Sequence, residues 1–170
     1  SDGLNVTCDT APHYFALDEQ AILDYRTFAR VSPPLRTDAD RRAVIRGLAD
    51  GTIDAIASDH APQDQDSKRV PFAQAMPGVT GLECLLQISL ELAHRDEMPL
   101  LDVLACLTHR PAGIIGLDYG RIAKGCWADL VIFDLDIGTR IDAAKWHTKS
   151  KNSAFDGRPV QGRVWRTIHK

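Results

Sequence analysis

The chain has 170 residues, of which 44% are hydrophobic, and its formal net charge is −3. These values predict a soluble globular chain of about one domain, and they exclude a disordered chain and a general nucleic-acid-binding protein. No apolar run approaches the eighteen residues typical of a membrane span. The first residues, Ser1 to Leu4, contain neither an initiator methionine nor a signal-peptide pattern, so we expect a segment of a longer chain.

The four cysteines show no metal-binding spacing, which favours reduced thiols and a cytoplasmic location. Charge is unevenly distributed, because residues 138–170 carry eight Lys or Arg against two Asp, whereas residues 1–137 carry 12 Lys or Arg against 21 Asp or Glu. We interpret the basic tail as a cationic segment folded against an acidic body, with Trp146 and Trp165 as buried anchors. Contact with RNA or DNA is the less favoured alternative.

The first third of the chain alternates between strand-like and helix-like patterns. A β-prone run at residues 5–8 and a buried-strand pattern at 52–58 flank a helix that runs to Asp50 after an N-cap at Thr37. Together they predict a β-α-β unit, whose parallel strands need covering on both faces. A further helix is predicted over residues 18–28.

The second half of the chain begins with a polar, proline-punctuated loop over residues 63–79, which is long enough to be functional or mobile. Thr80 and Glu83 match a capping box at the start of the helix that follows. Another helix is predicted over residues 99–109, and residues 120–134 match a β-hairpin with a Lys-Gly turn.

The clearest candidates for catalysis or metal binding are in the Ser-Asp-His-Ala-Pro run at residues 58–62. Asp59 follows a buried parallel strand, the position at which α/β barrels place catalytic residues. Such a carboxylate can bind a metal ion or take a proton from metal-bound water. From this run alone, capping of the next turn by Asp59 is an equally good explanation. His60 and His13, as isolated histidines, more often have structural roles.

Several motifs in order resemble bacterial dihydroorotase, of the amidohydrolase superfamily. They are Ala-Pro-His-Tyr at 11–14, Ser-Pro-Pro-Leu-Arg at 32–36, Ser-Asp-His-Ala-Pro at 58–62, Pro-Gly-Val-Thr-Gly-Leu-Glu at 77–83 and the run at 125–134. The resemblance covers nearly the whole chain and implies an α/β fold class. It implies the C-terminal part of an amidohydrolase (β/α)8 TIM-like barrel over residues 1–119. Part of a small β-rich sandwich subdomain and the basic tail would then occupy residues 120–170.

The resemblance also implies an activity, the reversible zinc-dependent cyclisation of N-carbamoyl-L-aspartate to dihydroorotate in pyrimidine biosynthesis. The family site holds one or two zinc ions, and only its last aspartate maps onto this chain, at Asp59. Asp59 would be both a metal ligand and the general base. Because catalytic zinc needs about three protein ligands, we expect the isolated chain to hold no catalytic metal and to show no turnover.

Substrate-binding positions carry over less closely. The family's asparagine before Pro-Pro-Leu-Arg is Ser32 here, and its histidine four residues after the catalytic aspartate is Gln63. Two backbone groups that face the substrate ring map to Pro77 and Gly78, and Pro77 offers only its carbonyl because proline lacks an N–H. Ser32 and Gln63 are therefore the positions at which ring specificity would differ.

Two alternatives stay open at this stage. One is a non-catalytic dihydroorotase-like subunit that supports aspartate transcarbamoylase, and the other is a related cyclic amidohydrolase such as allantoinase or hydantoinase. The expected partners are a small-molecule substrate and either the N-terminal part of the same protein or a second copy, since part of a barrel leaves sheet edges uncovered. Neither nucleic acid nor a membrane is expected as a partner.

Overall fold

The structure is a computed structural model, and it describes residues 4–169. Its helices and strands are, in chain order, β1 (Asp9–Thr10), α1 (Pro12–Ala16), α2 (Asp38–Asp50), β2 (Ala55–Ile56), α3 (Gln65–Lys68), α4 (Leu85–His94), α5 (Leu100–Leu107), α6 (His109–Ile114), β3 (Leu130–Arg140) and β4 (Pro159–Ile168). Short 3-10 segments occupy Glu19–Tyr25, Thr27–Ala29, Leu82–Cys84 and Ala143–Lys145. Within residues 4–169, no helix has the length and apolar character needed to cross a membrane.

The predicted β-α-β unit is confirmed. β1 and β2 pair in parallel, with Asp9 opposite Ala55, and α2 connects them. The Thr37 side chain accepts the Asp40 N–H and the Asp40 carboxylate accepts the Thr37 N–H, so a capping box fixes the start of α2. Gly51 ends the helix at a φ of 79°. β2 is shorter than predicted, and the position predicted for the first strand is wrong, because residues 5–8 form no strand and β1 begins at Asp9.

The helix predicted over residues 18–28 is wrong. Two 3-10 turns take its place, and the first contains non-helical backbone at Leu23 and Asp24. Asp24 and Tyr25 have φ values of 59° and 56°, a left-handed conformation that a right-handed helix cannot contain. The spacing of apolar residues in this segment matched an α-helix, but the non-helical backbone at Leu23, Asp24 and Tyr25 interrupts any continuous helix.

The capping box predicted at Thr80 and Glu83 is also wrong. A 3-10 turn precedes α4, and the Glu83 carboxylate accepts the backbone N–H groups of His147 and Thr148 at 2.9 and 2.8 Å. The Thr80 hydroxyl is buried and has no hydrogen-bond partner in the described part of the chain. Glu83 therefore joins the C-terminal segment to the start of α4 and caps no helix.

The hairpin predicted over residues 120–134 is wrong as well. A turn does form at Gly125, but β3 pairs with the C-terminal strand β4 in an antiparallel ladder from Leu130 opposite Ile168 to Arg140 opposite Pro159. The basic tail thus supplies a strand. Trp165 is 60% exposed, contrary to the prediction that it is buried, and its ring lies 5.0 Å below the Arg163 guanidinium carbon.

The main core joins the helices to the C-terminal segment. Ile88 of α4 and Val103 of α5 lie in the same buried cluster as Phe155 and Val160, and Trp146 packs against that cluster as predicted. An ion pair between Arg158 and Glu91, with a nitrogen–oxygen distance of 2.6 Å, joins the same two parts of the chain. This packing holds the C-terminal segment against the elements that carry Asp59.

Candidate functional site

The residues that could take part in catalysis or metal binding lie at the carboxyl ends of β1 and β2. His13 and Tyr14 follow β1, and Asp59 follows β2. Because the two strands are parallel neighbours, their ends meet, and His13 Nε2 lies 3.4 Å from Asp59 Oδ2. The position matches the end of an α/β barrel at which catalytic groups lie.

Asp59 combines an unusual backbone with an accessible carboxylate. Its φ is 43°, in the left-handed region, where non-glycine residues are uncommon. Its side chain is 53% exposed. Backbone strain of this kind is typical of functional positions, and here it directs a carboxylate out of the end of a buried strand.

Asp59 has two aromatic neighbours on the segment after β1. Burial lowers the pKa of His13 to about 4, against the opposing effect of the Asp59 charge, so the imidazole is neutral at pH 7. Burial, together with the Asp59 charge, raises the pKa of Tyr14 to about 12, which keeps the phenol protonated. The Tyr14 hydroxyl donates to the Pro33 carbonyl at 2.9 Å, and this hydrogen bond joins α1 to the loop that contains Pro33.

His60 has a structural role. Its Nδ1 accepts the backbone N–H groups of Gly81 and Leu82 at 3.3 and 3.2 Å. A Cβ at Gly81 would lie 2.6 Å from the Ser58 carbonyl oxygen, so only glycine permits this approach. His60 therefore fixes the start of the turn before α4.

Three of the four predicted substrate-binding residues lie together. The Gln63 side-chain amide donates to the Pro77 carbonyl at 3.1 Å, and the Gly78 N–H donates to the Arg30 carbonyl at 2.9 Å. Ser32 is exposed two residues after Arg30, at a cis peptide bond to Pro33. The Pro77 carbonyl and the Gly78 amide thus already have partners within the chain.

Asn152 holds these segments together, and sequence reasoning missed it. Its buried side chain donates from Nδ2 to the carbonyls of Ala61 and Gly78 at 3.3 and 3.0 Å, and its Oδ1 accepts the Gln63 N–H at 3.2 Å. Its own carbonyl accepts the Thr80 N–H at 3.2 Å. These partners lie 72 to 91 residues away along the chain, so no local sequence pattern could reveal them.

The loop over residues 63–79 contains α3 and is anchored by Lys68. The buried Lys68 ammonium donates to the carbonyls of Thr27 and Met76 at 3.2 and 2.6 Å. Burial, with a smaller contribution from the Arg30 charge, lowers its pKa to about 8. The Arg30 guanidinium donates to the Phe72 carbonyl, which adds a second attachment between the same segments.

We expect Lys68→Met to loosen this loop. The substitution keeps most of the side-chain volume but removes the donor to the Met76 carbonyl and one of two donors to the Thr27 carbonyl, which still accepts the Arg30 N–H, at a cost of about 1–3 kcal/mol. Hydrogen exchange should become faster in residues 64–79 and stay unchanged in α2. Lys145→Met, at a lysine that is 84% exposed, is the matched control. Unchanged exchange in the Lys68 variant would show that the ammonium does not anchor the loop.

The metal-binding capacity of the chain is limited. Among residues 4–169, no group of three or more His, Cys, Asp or Glu side chains is arranged to hold a metal ion. The accessible carboxylate of Asp59 suits zinc as a single oxygen ligand, and a catalytic zinc site takes about three protein ligands. The described residues therefore fit a zinc site to which this chain contributes one ligand, Asp59.

Comparison with known proteins agrees with this arrangement. The sequence profile described as the Amidohydrolase family matches residues 15–169. The chain belongs to the amidohydrolase family. This amidohydrolase chain is 53% identical over 167 residues to "Dihydroorotase" of Anaplasma phagocytophilum, and 51% identical over 168 residues to "Dihydroorotase" of Ehrlichia chaffeensis. The matches cover 98% and 99% of this chain but 37% and 38% of those relatives.

Solved structures confirm the predicted fold class. The L-hydantoinase (dihydropyrimidinase) of Arthrobacter aurescens superposes with a TM-score of 0.92 at 29% identity, and the dihydropyrimidinase of Brevibacillus agri with 0.90 at 26%. Each match covers 98% of this chain and 38% of the solved one. This amidohydrolase chain therefore forms part of a TIM-like barrel fold, and the resemblance to dihydroorotase drawn from its motifs is confirmed.

Proposed function

We propose that this chain provides the Asp59 portion of a zinc-dependent dihydroorotase. The observation that carries the proposal is the Asp59 carboxylate at the carboxyl end of β2, in a chain 53% identical to a dihydroorotase over 167 residues. The enzyme would interconvert N-carbamoyl-L-aspartate and dihydroorotate in cytoplasmic pyrimidine synthesis. The other zinc ligands would come from a part of the enzyme outside these residues.

In this mechanism Asp59 has two tasks. One carboxylate oxygen would bind zinc, and the carboxylate would take the proton of the attacking water and return it to the ring nitrogen that leaves. Bound zinc would supply a water of lowered pKa and polarise the amide carbonyl. The strained backbone of Asp59 supports both tasks by holding the carboxylate beyond the strand end.

The substrate would lie between Asp59 and the loops that carry Ser32, Gln63, Pro77 and Gly78. Gln63 is neutral, so it would recognise a substrate carboxylate or carbonyl by hydrogen bonding, and Ser32 offers a single hydroxyl donor. The Pro77 carbonyl has a second lone pair for a ring N–H. The Gly78 N–H would contact substrate only if its bond to the Arg30 carbonyl opens.

A chimaera tests the proposal. In it, this chain replaces the 167 matching residues of the Anaplasma phagocytophilum dihydroorotase, and the unaltered relative is the positive control. We expect zinc-dependent turnover of dihydroorotate at least ~100-fold above that of hydantoin or dihydrouracil, because polar groups built for a substrate carboxylate would have no partner in those rings.

Each other result has a defined meaning. Preference for hydantoin or dihydrouracil would identify a hydantoinase-type enzyme, in line with the solved structures that share the fold. A folded, zinc-loaded chimaera without turnover would contradict the proposal. Stable binding of that inactive protein to aspartate transcarbamoylase would then favour a non-catalytic subunit.

A further inference from the structure

His13 has a buried polar atom that the assigned roles leave unexplained. The imidazole is 1% exposed, and Nε2 has no hydrogen-bond partner in the described part of the chain. Burying an N–H or a ring nitrogen without a partner costs free energy, so such an atom in a folded protein calls for an explanation. The Asp59 oxygen at 3.4 Å is the acidic group that it faces.

The chemistry of this contact determines which atom carries the proton. An imidazole nitrogen carries either an N–H or a lone pair, and a lone pair directed at a carboxylate would be repelled. An N–H at Nε2 is therefore the form that suits a contact with Asp59. The distance of 3.4 Å is longer than a standard hydrogen bond, and catalytic contacts often shorten when the complete site forms.

The fold holds the His13 ring in place. His13 lies in α1 directly after β1, and its ring centroid is 4.2 Å from that of Tyr14. The Tyr14 hydroxyl is in turn bonded to Pro33. Asp59, by contrast, is more than half exposed, so burial alone does not select one orientation of its carboxylate.

We propose that His13 is a positioning residue for Asp59, through donation of its Nε2–H to Oδ2. This contact orients the carboxylate and leaves its other oxygen free for zinc and proton transfer, so the inference rests on the proposed function. A buried N–H donor suits the task, because hydrogen bonds from outer-shell partners fix the orientation of ligating carboxylates.

Nuclear magnetic resonance on the 170-residue chain tests the contact without any turnover. Long-range proton–nitrogen correlation should show a proton on His13 Nε2 at neutral pH. Asp59→Ala should shift the His13 Nε2 resonance and leave His169 unchanged. His169 is the matched control, since it contacts the carboxylate of Asp129 at 2.8 Å elsewhere in the fold. An Nδ1–H tautomer, or no response to Asp59→Ala, would overturn the proposal.

Kinetics of the chimaera test the consequence. His13→Phe keeps a ring but removes the donor, whereas His13→Gln restores an N–H at a similar reach. Loss of an outer-shell partner typically costs ~10–100-fold. We therefore expect His13→Phe to lower kcat by that factor, with KM changed less than ~3-fold, and to lower zinc occupancy at limiting zinc.

The comparison of variants separates positioning from packing. His13→Gln should recover most of the lost kcat, and His169→Gln should leave kcat unchanged. If His13→Phe keeps kcat within a factor of ~2, or if His13→Gln is as slow as His13→Phe, the positioning role is wrong. If the unsubstituted chimaera has no turnover, the proposed function fails, while the resonance experiment still decides whether His13 contacts Asp59 as inferred.

Discussion

Asp59→Ala is expected to reduce kcat of the chimaera by at least ~1000-fold. A positioned general base typically contributes ~100- to 10,000-fold, and this substitution removes a zinc ligand as well. Steady-state kinetics with dihydroorotate, with zinc measured in the same sample, would check the expectation. KM should change less than kcat, because the proposed substrate contacts lie on other residues.

Two further variants locate the effect at the carboxylate. Asp59→Asn keeps the shape but is a poor base and a weaker ligand, so it should be nearly as inactive as Asp59→Ala. Asp66→Asn removes an acidic group from α3 in the following exposed loop and should leave kcat unchanged. Retention of more than ~10% of kcat by Asp59→Ala would contradict the general-base role, since a positioned base typically contributes ~100-fold or more.

The parts of the fold that could be predicted from sequence are those set by local interactions. The N-cap at Thr37, the apolar spacing of α2 and the glycine after it all lie within fifteen residues, and together they predicted the helix of the β-α-β unit. The helix expected over residues 18–28 failed because a left-handed backbone at Asp24 and Tyr25 overrides a helical spacing of apolar residues.

The remaining errors have non-local causes. Glu83 would cap α4 if it were isolated, but its carboxylate binds two backbone N–H groups of a segment 64 and 65 residues away. Similarly, β3 has a long antiparallel partner in β4, and this ladder replaces the short hairpin predicted over residues 120–134. In both cases a contact with a distant segment replaces the local contact that was predicted. A local sequence pattern cannot reveal contacts with distant segments.

In the candidate site, too, some residues could be identified from the sequence and others only from the structure. Asp59 could be identified from its position after a predicted strand and from the resemblance to dihydroorotase. The contact with His13 was not predicted, since an isolated histidine more often has a structural role, and it arises because the parallel strands β1 and β2 bring their carboxyl ends together. Its burial and distance required the structure. Asn152 gave no signal, because a polar residue in a basic tail is ordinarily exposed.

Asn152→Asp is expected to destabilise the fold around the candidate site. It replaces an amide donor by an oxygen that faces the carbonyls of Ala61 and Gly78, so two favourable contacts become repulsive. For a buried group that loses its hydrogen bonds we expect a decrease of about 2–4 kcal/mol in the free energy of unfolding. Denaturant unfolding of the 170-residue chain at pH 7 would measure it.

The matched control for Asn152→Asp is Asn5→Asp, at an exposed asparagine. In the chimaera, Asn152→Ala should raise KM more than it lowers kcat, since it releases the backbone beside Gln63 and Gly78 but does not alter Asp59, which follows β2. Equal midpoints of unfolding for the Asn152→Asp and Asn5→Asp variants would show that the amide is dispensable. A loss confined to kcat would instead place Asn152 in direct support of Asp59. The two residues are therefore expected to affect different kinetic constants. Asn152 holds the backbone beside the proposed substrate-binding residues and should affect KM, whereas His13 orients the Asp59 carboxylate and should affect kcat.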